Sequence, residues 1–271
     1  MSQIREPSVS GAFYPGTKNE LLDMLKSITM VGRGQKVDGE IIGAVVPHAG
    51  YVYSGVTASH AYSSMELREK SILIIGPNHE AFPSYTAIYP KGGWRTPLGV
   101  AKIDEAMSDE IIKHVPTVKQ DEKAHAREHS IEVQIPFIQY FTDNDFTFTP
   151  MILGDQYMEV VLKIADRLSK FEPLPLIIAS SDLNHYEDLR TTEQKDGKLM
   201  ASALSLDVEK FYGTLRQYEI TACGFGAIAI LMEITRREGG KLILLNHSTS
   251  AEAFGDRSRV VGYASFLAVR P

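Results

Sequence analysis

Short apolar runs alternate with amphipathic stretches along the chain, and this alternation predicts the secondary structure. Short β-branched runs are typical of buried strands, whereas apolar residues three and four positions apart indicate helices. Strands are predicted near 41–47, 71–77, 85–90, 147–153, 175–181, 241–247 and 261–269. Helices are predicted near 18–29, 54–66, 104–114, 129–142, 156–171, 188–203, 206–217 and 222–238. The alternation favours an α/β fold, a mostly parallel or mixed sheet flanked by helices, as a single domain over residues 1–271.

Local signals support several of these boundaries. Thr17 and Glu20 have the spacing of a capping box, and Thr221 is a candidate cap for the last helix. The glycine pair 239–240 is a typical helix stop. The first two long strands lie about 30 residues apart, which suits a right-handed crossover and parallel pairing. The final run is expected to lie antiparallel at an edge of the sheet.

Three of the apolar runs end in histidine or in an aspartate and a histidine. The first leads into Pro47-His48, the second into Gly76-Pro77-Asn78-His79, and the third into Ser180-Ser181-Asp182-Leu183-Asn184-His185. In open α/β sheets, ligands bind in the crevice beyond the carboxyl ends of the strands. These polar side chains are therefore expected to meet at one site.

The third run suggests a pair of side chains for acid–base chemistry. Asp182 and His185 lie three residues apart and would face each other in a helical turn. A carboxylate beside an imidazole fixes its tautomer and raises its basicity, as a general acid or base needs. The alternative is that Ser181 or Asp182 simply caps a helix.

A fourth segment, Glu128-His129-Ser130-Ile131-Glu132, lies at the start of a predicted helix. Ser130 is a fair N-cap, which would leave His129 at the mouth of that helix. His129 is expected either to line a pocket or to make a buried structural hydrogen bond. Glu128 and Glu132, one helical turn apart, are predicted to form a solvated acidic face.

The single cysteine, Cys223, lies at the start of the last long helix predicted, over 222–238, and is flanked by small residues. The first turn of a helix carries partial positive charge, which favours thiolate over thiol. Thiolate and imidazole are both ligands for transition metals. The alternative is that Cys223 packs as a small apolar side chain.

Composition narrows the classes of function. The chain has 271 residues, 44% of them hydrophobic and 23% charged, with a formal net charge of -6. An acidic chain without a basic stripe is not expected to bind nucleic acid or an anionic membrane. The sequence contains no membrane-span-length apolar stretch, no signal-peptide pattern and no nucleotide- or flavin-binding motif. One cysteine excludes an internal disulfide, so a cytoplasmic location is expected.

Taken together, these segments resemble the Memo family, whose prokaryotic members are also called AmmeMemoRadiSam system protein B. The matching segments occur in order and span nearly the whole chain: PHAGY at 47–51, GPNH at 76–79, RTPLG at 95–99, EHSIE at 128–132, SSDLNH at 180–185 and CG at 223–224. The Memo fold is similar to that of class III non-haem iron extradiol dioxygenases. The resemblance therefore implies that architecture and its cleft.

The resemblance also implies roles for individual residues. In those dioxygenases two histidines and a glutamate bind ferrous iron, a variant of the facial triad. His48 and His79 match the two histidines, and Cys223 stands at the third ligand position of Memo proteins. His185 matches the acid–base histidine of the dioxygenases, with Asp182 beside it.

Three further residues are expected to line the cleft, namely His129, Asn78 and Tyr51. A thiolate ligand is softer than a carboxylate and favours copper, zinc or thiolate-bound iron. Iron or copper is therefore the expected cofactor, with zinc as an alternative. Memo proteins have been associated with metal binding and, in animals, with phosphopeptide binding and cell motility.

Three hypotheses of function remain open at this stage. The first is a metal-dependent redox enzyme, a non-haem iron or copper oxidoreductase. The second is a non-catalytic protein whose cleft binds a small molecule, a peptide or a protein of the same prokaryotic system, with aromatic and cationic contacts from Tyr51, Tyr53, Trp94 and Arg95. The third is a thiol nucleophile, Cys223, activated by His185.

Overall fold

The computed structural model describes residues 4–68, 70–80 and 83–271, and it confirms an α/β fold with helices on both faces of a mixed sheet. The strands are β1 (Ile4–Arg5), β2 (Glu40–Val46), β3 (Ser71–Pro77), β4 (Thr86–Ile88), β5 (Gly93–Thr96), β6 (Gly99–Ile103), β7 (Val118–Gln120), β8 (Thr147–Leu153), β9 (Leu176–Ser180), β10 (His185–Glu187), β11 (Lys241–Thr249) and β12 (Val260–Arg270). The helices are α1 (Lys18–Val31), α2 (Tyr51–Tyr62), α3 (Glu105–His114), α4 (Ile135–Thr142), α5 (Met158–Leu168), α6 (Leu189–Leu204), α7 (Val208–Gln217), α8 (Phe225–Arg237) and α9 (Ala251–Phe254). Two 3₁₀ turns occupy Lys123–His125 and Glu132–Gln134.

Parallel strands form the centre of the sheet. Strand β9 pairs with β2 on one side and with β3 on the other, and β8 continues the parallel arrangement beyond β3. On the opposite side β12 runs antiparallel to β2, and β11 runs antiparallel to β12. The carboxyl ends of β2, β9 and β3 therefore lie side by side.

Two topological expectations need correction. Strands β2 and β3 are parallel, but they are not neighbours, because the much later strand β9 lies between them. All five residues of β9 are buried, so this apolar segment gains most from a central position. The final strand is antiparallel as predicted, but β11 pairs along its outer side, so β12 does not form the edge there.

The helix ends follow the local signals only in part. Thr17 is the N-cap residue of α1, although its hydroxyl donates to the Glu20 side chain and accepts no hydrogen bond from the helix backbone. Gly239, with a φ of 67°, follows α8 as the predicted stop. Thr221 does not cap α8, whose N-cap residue is Gly224. The helix predicted from residue 129 becomes a loop, a 3₁₀ turn and then α4. The strands β1, β5, β6, β7 and β10 were not predicted, because two to five residues are too few for a clear alternation.

Two apolar layers cover the sheet, and alternate residues of each central strand point into one or the other. Ile75 and Ala179 face the layer formed with α3, α5, α6, α7 and α8. Ile74 and Ile178 face the layer formed with α1, α2 and α4. In the parts of the chain that the structure describes, no helix combines the length and apolarity needed to cross a membrane.

A buried ion pair fastens the N-terminal segment to the loop before α4. Arg5 Nη1 lies 2.7 Å from Glu132 Oε2, and the two side chains are 4% and 1% exposed. Glu132 also accepts hydrogen bonds from the backbone N–H groups of Ser8 and Val9 and from the Tyr14 hydroxyl. Glu132, predicted to be solvated, is therefore fully enclosed by the first residues of the chain.

We expect Arg5→Met to lower the free energy of unfolding by about 3–5 kcal/mol, because Glu132 would remain buried without its countercharge. Urea denaturation measures this change. Arg95→Met is the matched control, because Arg95 pairs with Glu6 at side-chain exposures of 47% and 67%. The control substitution is expected to lower the free energy of unfolding by less than about 1 kcal/mol. Equal effects of the two substitutions would contradict the assignment of Arg5 as a buried anchor.

Candidate metal centre

The carboxyl ends of the three central strands open into one cleft of about 910 Å³. His48, His79 and Asp182 each stand two residues beyond the end of β2, β3 and β9, respectively. Because these strands are parallel and adjacent, equal offsets bring the three side chains to the same edge of the sheet. His185 and Cys223 line the same cleft.

Three imidazoles lie together in this cleft. Ligand nitrogens of His48, His79 and His129 are all within 4.8 Å of one another. The His79 and His129 rings stack with centroids 4.6 Å apart, and His48 meets both rings edge-on. His48 is buried, whereas the side chains of His79 and His129 are 34% and 22% exposed. A transition metal takes imidazole nitrogens at about 2.0–2.1 Å, so small side-chain rotations would let this group hold one ion.

The buried hydroxyl of Ser180 determines the tautomer of His48. Ser180 Oγ donates its one hydrogen to the Ser130 carbonyl at 2.7 Å and accepts from Gln134 Nε2 at 2.9 Å. Its remaining lone pair lies 2.9 Å from His48 Nδ1, so the ring must donate there. Burial and the neighbouring imidazoles lower the pKa of His48 well below its ordinary value. The neutral ring therefore carries its acceptor lone pair on Nε2.

Glu128 plays the corresponding part for His79. Its carboxylate accepts from the His79 backbone N–H at 2.6 Å and from Nδ1 at 3.0 Å, and also from the Ser130 N–H at 2.7 Å. Burial alone would raise the pKa of Glu128, but the hydrogen bonds and charge of His79 outweigh it and hold the pKa well below its usual range. The prediction that Glu128 is solvated is therefore wrong. Such a carboxylate fixes the ring and leaves Nε2 for a metal.

Cys223 adjoins the imidazole group through His48. Its Sγ lies 3.1 Å from His48 Nε2 and accepts from the Asp182 backbone N–H at 3.3 Å. Burial, reinforced by the charge of Asp182, raises the pKa of Cys223 well above its ordinary value. The prediction that a helix terminus favours the thiolate is therefore wrong for the protein without a metal. The imidazole that contacts the Cys223 thiol is that of His48 and not, as the thiol-nucleophile hypothesis requires, that of His185.

Asp182 and His185 line the same cleft, but they are not paired. The predicted helical turn is absent from this described segment, and Asp182 Oδ1 instead accepts the His48 backbone N–H at 2.8 Å. His185 Nδ1 lies 2.9 Å from the Thr221 carbonyl, which can only accept. The ring therefore donates through Nδ1, and the Thr221 carbonyl, not the Asp182 carboxylate, fixes its tautomer.

Two residues predicted to line the cleft lie outside its wall. Neither Asn78 nor Tyr51 is among the described residues that line it. Asn78 organises its own loop, donating to the Pro83 carbonyl and accepting from the Glu80 N–H. Tyr51 is buried and donates to the Val133 carbonyl at 2.7 Å.

Aromatic side chains form much of the outer wall of the cleft. Phe13, Tyr53, Tyr186 and Phe254 line it together with Arg259. Of the residues predicted to contact a ligand, Tyr53 lies in this wall. Trp94 is buried beneath the Arg5 guanidinium group, whereas Arg95 forms an ion pair with Glu6. The outer wall thus combines aromatic rings with the Arg259 guanidinium group and the Asp256 carboxylate.

The sequence interpretation missed the side chains that hold the histidines, namely Glu128, Ser180 and Gln134. The available signal was the apolar surroundings of EHSIEVQI, in which Ile131, Val133 and Ile135 leave no polar face for solvent. A charged residue in such a segment requires a buried partner.

We expect Ser180→Ala to lower the free energy of unfolding by about 1–3 kcal/mol, because His48 Nδ1 and Gln134 Nε2 lose their shared acceptor. Thermal or urea denaturation of the metal-free protein measures this. Ser205→Ala removes an exposed hydroxyl that bonds only to the Ser202 carbonyl, and it should change stability by less than about 0.5 kcal/mol. A Ser180→Ala protein as stable as the wild type would rule out the hydroxyl as an essential acceptor.

Comparison with known proteins places this chain in a family. The family model described as Memo-like protein matches residues 5–267. The MEMO1 family proteins of Thermoplasma acidophilum and Thermoplasma volcanium are each 47% identical, over 98% of this chain and 99% of their own lengths. The MEMO1 family protein of Sulfurisphaera tokodaii is 38% identical, over 97% of this chain and 98% of its own length. The chain belongs to the Memo family.

Proposed function

We propose that this protein binds a redox-active transition metal in a cleft of the class III extradiol dioxygenase type and uses it in an oxidoreductase reaction. The observation that carries the proposal is the cluster of His48, His79 and His129 with Cys223 Sγ beside it, at the carboxyl ends of parallel strands. Imidazole and thiolate donors suit iron, copper or zinc and not magnesium or calcium.

The hydrogen bonds of the cluster indicate which ring nitrogens are available to bind a metal. His48 and His79 each have Nδ1 occupied by a protein acceptor, which leaves Nε2 of both rings for the metal. His129 is the third side chain of the group that the structure brings together, whereas Cys223, the third ligand implied by the family resemblance, contacts the group through His48 and is the alternative third donor. Glu128 keeps the His79 ring in place and offsets part of a cation's charge.

When bound, iron or copper would supply one-electron chemistry, whereas zinc would supply Lewis acidity only. The surrounding residues prepare the cleft for such a reaction. Donation through Nδ1 leaves Nε2 of the neutral His185 ring as the atom that can accept a proton from a ligand and later return it. Asp182 holds the loop that carries His48 by accepting its backbone N–H.

Metal titration tests the proposed ligands. Protein purified without oxygen and reconstituted with Fe²⁺, Cu⁺ or Zn²⁺ is expected to hold about one equivalent. His48→Ala and His79→Ala should each weaken binding by at least about 100-fold, and Glu128→Gln by about 10–100-fold. His114→Ala is the control, because this exposed ring on α3 pairs with Glu110 of its own helix.

The comparison of Cys223→Ser with His129→Ala identifies the third donor, since the true ligand shows the larger loss of affinity. Stoichiometric metal with unchanged affinity in both His48→Ala and His79→Ala would remove the proposed site.

A second candidate function is a non-catalytic binding protein for a small molecule or peptide. It is favoured by the size of the cleft and by the exposed side chains of Tyr186 and Phe254, which are 63% and 70% accessible. Oxygen consumption with catechol-like compounds, lost in His48→Ala, would support the enzyme. Binding of such compounds without turnover, unchanged after removal of the metal by a chelator, would support the binding protein.

A further inference from the structure

His185 is held by a network of hydrogen bonds that extends beyond the contact of its Nδ1 with Thr221. Its backbone N–H donates to Thr221 Oγ1 at 2.9 Å, and its Nδ1 donates to the Thr221 carbonyl at 2.9 Å. Thr221 is exposed and in a loop, so it cannot fix the ring by itself. Asn184, fully buried, restrains Thr221, because Asn184 Oδ1 accepts from both the Thr221 N–H and its hydroxyl.

Asn184 is restrained in turn by a buried carboxylate on α6. Asp196 Oδ1 accepts the Asn184 backbone N–H at 3.0 Å, and Asp196 Oδ2 lies 2.9 Å from His247 Nε2. The Asp196 side chain is 0% exposed, and it packs so tightly on Gly262 that a Cβ there would lie 1.7 Å from Oδ2. Burying a carboxyl group is costly unless it is hydrogen-bonded, so its contacts with the Asn184 N–H and the His247 ring and this close fit indicate a specific role.

The backbone beside His185 also requires such restraint. Tyr186 has a φ of 61°, a left-handed conformation that a bulky residue rarely adopts. It is the extra residue of a bulge in the pairing of β10 with β12. Strained residues persist where the surrounding structure over-determines them, and bulges near active sites redirect a side chain. The strain therefore lies where His185 turns into the cleft.

We propose that Asn184 and Asp196 are positioning residues that act through Thr221 to hold His185 as the Nδ1–H tautomer, with the lone pair of Nε2 available in the cleft. The inference rests on the proposed function for its purpose, since the acid–base role of His185 needs the lone pair of Nε2. The tautomer itself is a property of the metal-free protein and can be measured without any reaction.

The test is long-range ¹H–¹⁵N NMR of metal-free protein carrying ¹⁵N-labelled histidine, with the His185 signals assigned by their loss in His185→Asn. The wild type is expected to be mainly Nδ1–H. Asn184→Ala and Asp196→Ala should each move the tautomer ratio roughly fivefold toward Nε2–H, as the loss of one hydrogen bond permits. Asp196→Asn should keep the wild-type ratio, because its amide oxygen can still accept the Asn184 N–H.

Two further variants separate positioning from folding. Thr221→Val tests the same link at an exposed position, where the loss of a hydroxyl leaves the buried core intact, and it should shift the ratio in the same direction. Asp188→Ala removes the N-cap of α6, so it should reduce stability while leaving the His185 ratio unchanged.

A wild type that is mainly Nε2–H would overturn the proposal. So would folded Asn184→Ala, Asp196→Ala and Thr221→Val proteins that retain the wild-type ratio. Failure of the metal titration would leave this readout untouched, so the two proposals can fail independently.

Discussion

The insertion of β9 between β2 and β3 is the constraint on which the site depends. Parallel pairing on both sides of one strand brings three carboxyl ends to a single edge. The loops that follow carry His48, His79 and Asp182 at equal distances beyond their strands. Any shift of register in these pairs would move a side chain along the strand by about 3.3 Å per residue and separate the group.

Two of the three imidazoles, those of His48 and His79, are held by buried acceptors whose own hydrogen bonds are satisfied. Ser180 binds three partners at once, and Glu128 combines a ring nitrogen with two backbone N–H groups. Because rearrangement would leave buried polar atoms without partners, the rings have little freedom to rotate. The side chains are thus prepared for a cation before one arrives, which reduces the entropy lost on binding.

The sequence predicted the long elements and the residues at the strand ends, because buried strands and amphipathic helices have clear periodicities. It could not predict that β9 separates β2 from β3, since residues that contact across the sheet are far apart in sequence. The interpretation of Glu128 and Glu132 failed because helical spacing was assumed for a segment that forms a loop and a 3₁₀ turn. The pairing of Asp182 with His185 failed for the same reason, because a turn was assumed where a bulged strand begins.

The enclosure of Glu132 by the first residues of the chain affects the order in which the protein can be assembled. During synthesis from the N-terminus, Arg5 emerges long before its partner, with a separation of 127 residues between them. The loop that carries Glu128 and His129 therefore cannot adopt its final conformation until the ribosome has produced about half of the protein. Strand β9 is synthesised later still. Contacts between residues far apart in sequence form slowly during folding, so we expect the cleft to be among the last regions to become ordered.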